Sequence, residues 1–129
     1  MTKVIVDTSV WVDYFKGRKS RIVEEVRKLI VSNRAVLTGV SLAELLVGTR
    51  DGVQRGLLID ALTALDYIEV SDTVWVKAGE LGAELNQKGI TVPLTDLLIA
   101  ALSVTHKCEI FTTDKHFNCM PELTTYKVE

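Results

Sequence analysis

The fold is decided by the segment Lys3-Val4-Ile5-Val6-Asp7-Thr8-Ser9. Its uninterrupted apolar run is typical of a short strand that is buried on both faces. The three residues that follow the strand have side chains that cap helices, so they predict a helix that starts at once and continues to Phe15. A buried strand that leads directly into a helix is typical of α/β folds.

The alternation of strand and helix continues along the chain. Further short apolar strands are predicted at Ala35–Thr38, 67–70 and 109–113, with a weaker candidate at 124–128. Apolar residues at helical spacing predict helices at 20–32, 41–47, 57–65, 72–88 and 97–105. Short, continuously apolar strands between helices indicate a parallel sheet covered on both faces. The prediction is therefore an α/β fold, a three-layer α/β/α sandwich with a mostly parallel sheet of four or five strands.

Length and composition exclude several classes of protein. The 129 residues, 47% of them hydrophobic, fit one domain over residues 1–129 and are too apolar for a disordered chain. No apolar run is long enough to cross a membrane, and Asp7 comes too early for a signal peptide. Cys108 and Cys119 do not make a disulfide framework for a chain of this size. These features predict a protein of the cytoplasm.

The charge is small overall but unevenly placed. The net charge of −2, from 15 basic and 17 acidic residues, argues against a protein that coats nucleic acid by bulk electrostatics. Residues 16–28 nevertheless contain six basic side chains: Lys16, Arg18, Lys19, Arg21, Arg27 and Lys28. This segment is either a solvated face or a local contact for nucleic acid.

Four acids are predicted to lie at one edge of the sheet. Asp7 and Asp114 end predicted strands, and Glu44 and Asp96 fall in the first turns of predicted helices. Ligands of open α/β sheets bind at the carboxyl ends of the strands, where these elements meet. Each acid alone has a structural explanation: Ser41-x-x-Glu44 matches a capping box, and the three aspartates suit helix starts.

Convergence of the four acids favours a metal site over four separate caps. Carboxylates within about 5 Å of one another repel by several kcal/mol unless protons or cations intervene. Mg²⁺ takes a few carboxylates and keeps several waters, which suits an open, acid-lined cleft. Such a site can activate water and stabilise an in-line phosphoryl displacement, so the hypothesis is a metal-dependent phosphodiesterase. The neighbouring hydroxyls of Thr8, Ser9, Thr112 and Thr113 could orient the carboxylates.

Other chemistries find weaker support. His106, Cys108, His116 and Cys119 offer possible zinc ligands, but their spacing is poor and a predicted strand separates the two pairs. The sequence has no P-loop, no Rossmann fingerprint, no HExxH motif and no nucleophile elbow. Covalent catalysis is therefore not predicted.

The motifs that carry the four acids resemble those of PIN-domain nucleases. They are Val-Ile-Val-Asp7-Thr-Ser-Val-Trp, Val-Ser-Leu-Ala-Glu44-Leu, Pro-Leu-Thr-Asp96-Leu-Leu-Ile-Ala-Ala and Phe-Thr-Thr-Asp114-Lys-His-Phe. Length and detail are most similar to the VapC-type toxins of toxin–antitoxin pairs. The resemblance spans the whole chain.

The resemblance implies an activity and a set of partners. It implies an endoribonuclease whose Asp7, Glu44, Asp96 and Asp114 bind Mg²⁺ or Mn²⁺ and act in catalysis. It also implies a homodimer that is held inactive by a small antitoxin. Some relatives carry a further acid two residues after the last motif aspartate, where this chain has His116.

Two other classes stay open at this stage. One is a PIN-like module that binds metal or protein without turnover. The other is a small doubly wound domain in which one aspartate accepts a phosphoryl group.

Overall fold

The computed structural model describes residues 2–17 and 19–128 of the chain. Its sheet has four strands, which are β1 (Val4–Val6), β2 (Ala35–Thr38), β3 (Asp66–Ile68) and β4 (Glu109–Phe111). The strands are parallel and lie in the spatial order β3-β2-β1-β4. In the central strand, Val4 is in register with Ala35 on one side and Glu109 on the other. The predicted parallel α/β sheet is confirmed, with four strands.

Helices connect the strands and cover both faces of the sheet. They are α1 (Thr8–Phe15), α2 (Arg21–Val31), α3 (Gly39–Val47), α4 (Gly52–Thr63), α5 (Asp72–Gln87) and α6 (Leu94–His106). A 3₁₀ helix, Lys115–Cys119, follows β4. None of the helices in the described residues is long and apolar enough to cross a membrane.

The strand β1 divides the core into two halves. Ile5 packs into a cluster formed with α5 and α6, whereas Val4 and Val6 pack into a second cluster with α1 to α4. Side chains of a strand point alternately to opposite faces, so a wholly apolar strand requires a helical layer on each side. The three predicted layers follow from this alternation.

Several element boundaries differ from those predicted because capping side chains lie earlier in the sequence. The helix α3 begins at Gly39 rather than at Ser41, since the Thr38 side chain accepts a hydrogen bond from the Ser41 amide. Likewise, α4 begins at Gly52 because the Asp51 carboxylate accepts one from the Gln54 amide. The capping box predicted at Ser41-x-x-Glu44 is therefore wrong, since Thr38 holds the N-cap position.

The C-terminal segment adds little to the sheet. In place of the weaker strand candidate at 124–128, the described residues form an isolated parallel bridge between Thr125 and Ile110. The Tyr126 amide donates to the Ile110 carbonyl at 2.8 Å. The segment thus lies along β4 without becoming a regular strand.

Candidate active site

Asp7 is positioned by the end of the central strand and by two hydroxyl groups. It follows β1 directly, is 5% exposed and occupies the N-cap position of α1 without making a side-chain cap. Its Oδ2 atom instead accepts hydrogen bonds from Ser9 Oγ at 2.9 Å and Thr112 Oγ1 at 2.8 Å. A buried carboxylate requires such donors, so these hydroxyls orient Asp7, as the sequence suggested.

Thr112 also connects Asp7 with Asp114. The Asp114 amide donates to Thr112 Oγ1 at 2.9 Å, and the Thr112 hydroxyl donates in turn to Asp7. Asp114 caps the 3₁₀ helix, where its Oδ1 atom accepts from the His116 amide at 2.9 Å. The capping role considered for Asp114 is confirmed, and its carboxylate faces the same edge of the sheet as His116.

Asp96 enters the site from the first turn of α6. This helix begins at Leu94 directly after Pro93, whose fixed φ suits a helix start. Asp96 Oδ2 lies 2.8 Å from Nδ1 of His116, and the same nitrogen lies 3.4 Å from Asp114 Oδ1. The imidazole therefore lies between the two carboxylates.

The charges of these groups influence one another. Burial raises the pKa of the Asp96 carboxyl, and the negative charges of Asp114 and Asp7 raise it further. The hydrogen bond with His116 acts in the opposite direction on this pKa. The pKa of His116 is raised, first by its hydrogen bond to Asp96 and then by the charge of Asp114. Mutual repulsion among the acids is the condition that a bound cation relieves.

Glu44 lies beside the residue that follows Asp7. Its Oε1 atom accepts a hydrogen bond from Thr8 Oγ1 at 2.7 Å, and the Thr8 oxygen is also 3.0 Å from the hydroxyl of buried Ser41. The helix α3 thus presents Glu44 to the start of α1.

The donor atoms that cluster most tightly are those of Asp96, Asp114 and His116. These three donors lie within 4.8 Å of one another, and they form the group of possible metal ligands found within residues 2–17 and 19–128. Asp7 is linked to the group through Thr112, and its charge acts on Asp96. Carboxylate oxygens with one imidazole are a donor set that suits a divalent cation.

His116 is the site residue that sequence reasoning did not include. The sequence offered it as one of four possible zinc ligands of poor spacing, and as a departure from relatives that carry an acid at this position. The signal available in the sequence was its spacing, two residues after Asp114. The 3₁₀ helix that turns its side chain toward Asp96 was not predicted.

Comparison with known families identifies the fold and its class. The PIN domain family model matches residues 4–123. The chain therefore belongs to the PIN domain family, as the four acidic motifs indicated.

Within this class the chain is similar to VapC proteins. It is 29% identical over 125 residues to VapC ribonuclease Mb1587 of Mycobacterium bovis, covering 94% of this chain and 93% of the relative. Ribonuclease VapC1 of Methanocaldococcus jannaschii is 25% identical, covering 94% and 83%. The structure of VapBC2 from Rickettsia felis, bound to a promoter DNA fragment, superposes with a TM-score of 0.82 at 25% identity, covering 95% and 96%.

Proposed function

We propose that this protein is a metal-dependent endoribonuclease that acts as the toxin of a toxin–antitoxin pair. The observation that carries the proposal is the proximity of three acids at the carboxyl edge of a PIN-domain sheet. Thr112 links Asp7 to Asp114 by hydrogen bonds, and the charges of both act on Asp96. Similarity to VapC ribonucleases over nearly the whole chain supports RNA as the substrate.

In this proposal Asp7, Glu44, Asp96 and Asp114 hold Mg²⁺ or Mn²⁺ and contribute to catalysis. A divalent cation bound by carboxylates supplies Lewis acidity for water activation and stabilises charge on a phosphate in transfer. Ser9 and Thr112 hold the Asp7 carboxylate in one orientation, and Thr8 does the same for Glu44. Held in advance, these side chains do not have to reorganise when RNA arrives.

The basic segment 16–28 is proposed to contact the RNA backbone. Lys19, Arg21 and Arg27 line a groove of about 910 Å³ together with Tyr14 and Phe15 of α1. Within α2, Arg27 pairs with Glu24 and Lys28 pairs with Glu25, so those charges are partly compensated. Arg18 belongs to the segment but lies outside the described residues. Lysine and arginine beside a groove suit phosphate contacts that do not depend on sequence.

The proposal also covers the partner, the oligomeric state, the cellular location and the domain organisation of the protein. The Rickettsia felis structure is a VapBC complex, which supports a cognate antitoxin as partner here. We also propose a homodimer, a cytoplasmic location and a single domain over residues 1–129, as expected from the sequence.

The test is cleavage of total cellular RNA by the purified, antitoxin-free protein. We expect discrete fragments with Mg²⁺ or Mn²⁺, none with EDTA, and a loss of about a hundredfold or more in Asp96→Asn. Glu84→Gln is the matched control, because it also changes an acid to its amide, at an exposed position of α5 outside the group of possible metal ligands.

Other outcomes would favour the alternatives. Cleavage that persists in EDTA or in Asp96→Asn would contradict the metal-dependent mechanism. A folded protein that binds an antitoxin but cuts no RNA with either ion would indicate a binding module. A mass increase of one phosphoryl group after incubation with a small phosphodonor would indicate a phosphoacceptor.

A further inference from the structure

His116 is the nitrogen donor beside Asp96 and Asp114, two of the four acids to which the proposed function assigns a divalent cation. We propose that His116 Nδ1 is itself a ligand of this cation, beside Asp96 and Asp114, and that it gives the site a preference for Mn²⁺ over Mg²⁺. This inference rests on the metal site of the proposed function.

The spacing of the three donor atoms fits one coordination shell. Two ligands at right angles, each about 2.1 Å from an ion, are about 3.0 Å apart. His116 Nδ1 lies 2.8 Å from Asp96 Oδ2 and 3.4 Å from Asp114 Oδ1, on either side of that value. The three donor atoms all lie within 4.8 Å of one another, so side-chain adjustment can bring them around one ion.

The backbone of His116 is held while its ring stays accessible. The His116 amide donates to Asp114 Oδ1, and its carbonyl accepts from Cys119 Sγ at 3.0 Å. The next residue, Phe117, is 2% exposed and anchors the 3₁₀ helix in the core. The His116 side chain is 53% exposed, so an ion can reach Nδ1 from solvent. In the ion-bound form a neutral ring presents the lone pair of Nδ1 and carries its proton on Nε2.

A nitrogen ligand changes which ion binds best. Mg²⁺ prefers oxygen donors and parts reluctantly with water, whereas imidazole is a common ligand of first-row transition ions. Replacing one carboxylate by imidazole should thus weaken Mg²⁺ binding more than Mn²⁺ binding. The same arrangement has another interpretation, in which the ring is only a counter-ion for the two carboxylates and competes with the metal.

The two interpretations predict opposite effects of removing the ring. If His116 is a ligand, His116→Gln should weaken Mn²⁺ binding by about tenfold and Mg²⁺ binding by less, as measured by calorimetry. If His116 only competes with the cation, His116→Gln should tighten binding of both ions. Tighter binding would overturn the proposal.

Spectroscopy of the Mn²⁺-loaded protein tests the nitrogen bond directly. The sequence has two histidines, and His106 lies at the end of α6 outside the cluster, so His106→Gln is the matched control. Electron spin-echo modulation from a directly bound ¹⁴N should appear in the wild type and in His106→Gln, and should be lost in His116→Gln. Its absence from a wild-type protein that binds Mn²⁺ would overturn the ligand role.

Metal binding and RNA cleavage together separate the histidine ligand from the nuclease function. A protein that binds Mn²⁺ through oxygen alone and still cuts RNA retains the nuclease function without the histidine ligand. A folded protein that binds neither Mn²⁺ nor Mg²⁺ would overturn both.

Discussion

At the scale of the residue, hydroxyl groups determine how the carboxylates are presented. Thr112 links two of the acids, because its hydroxyl donates to Asp7 and its oxygen accepts from the Asp114 amide. Asp7 is almost wholly buried, and a charge in that position needs donors that are already in place. Thr112 thus orients one acid and holds the backbone of another.

Substituting Thr112 by valine should separate orientation from charge. Thr112→Val keeps the shape of the side chain but removes both hydrogen bonds. We expect RNA cleavage to fall by about tenfold or more and the free energy of unfolding to fall by about 1–3 kcal/mol. The measurements are single-turnover cleavage and urea unfolding.

The adjacent threonine provides the control. Thr113→Val makes the same change of side chain at the next residue. The hydrogen bond of Thr113 to Ser9 Oγ, at 3.5 Å, is donated by its backbone amide, so the substitution leaves that donor in place. Equal losses in Thr112→Val and Thr113→Val would contradict a specific orienting role for Thr112, whereas Thr112→Ser should retain most activity.

At the scale of the element, a side-chain hydrogen bond ties the C-terminal segment to α2. Tyr126 donates its hydroxyl hydrogen to Glu25 Oε2 at 2.7 Å, across 101 positions of sequence. This bond lowers the pKa of Glu25, while burial and the bond to Glu25 raise the pKa of Tyr126 to about 12. The irregular segment is thus held by a charge-assisted contact in addition to its bridge to β4.

Tyr126→Phe should weaken this tie in a pH-dependent way. We expect a loss of about 1–2 kcal/mol in the free energy of unfolding at pH 7, because a buried carboxylate loses its donor. The pKa of Glu25 is lowered in the folded protein, so the contribution is present above its ordinary value of 4.5 and disappears as the pH falls through the lower folded value.

Urea unfolding of both proteins between pH 7 and pH 3.5 measures this difference. The gap between wild type and Tyr126→Phe should narrow toward the acid end. A gap that stays constant with pH would show that the contact is not charge-assisted.

At the scale of the whole molecule, the two helical layers bring Asp7, Asp96 and Asp114 together at one edge of the sheet. Two of them come from different layers: α1, which starts directly after Asp7, packs in one half of the core, and α6, which carries Asp96, packs in the other. Assembling like charges opposes folding unless a cation is bound. Stability should consequently depend on the metal.

Thermal unfolding should reveal this dependence. With Mn²⁺ at about 100 times its dissociation constant, binding should stabilise the wild type by about 2.7 kcal/mol, which raises its Tm by several degrees. Asp7→Asn should lose most of that shift, and in EDTA it should be at least as stable as the wild type because repulsion with Asp96 falls. An unchanged Tm shift in Asp7→Asn would contradict its role in the site, and Glu84→Gln should behave as wild type.

The elements whose existence could be predicted from sequence are those with strong local patterns. The strand at Ala35–Thr38 was predicted with its observed bounds, because four buried apolar or β-branched residues stand between polar turns. The start of α3 was wrong, since a capping box at Ser41 and a cap at Thr38 are both consistent with the local sequence. Only packing decided between them, by burying Ser41 against Thr8.

The sequence by itself determined the fold class and the candidate acids of the site. Local periodicity specifies strand and helix, and parallel strands necessarily bring their carboxyl ends to one edge. The tertiary structure alone decided which groups meet: Thr112 with Asp7, Tyr126 with Glu25, and His116 with Asp96. These partners are 20 to 105 positions apart, and no local pattern encodes such contacts because they arise only when separate elements pack together.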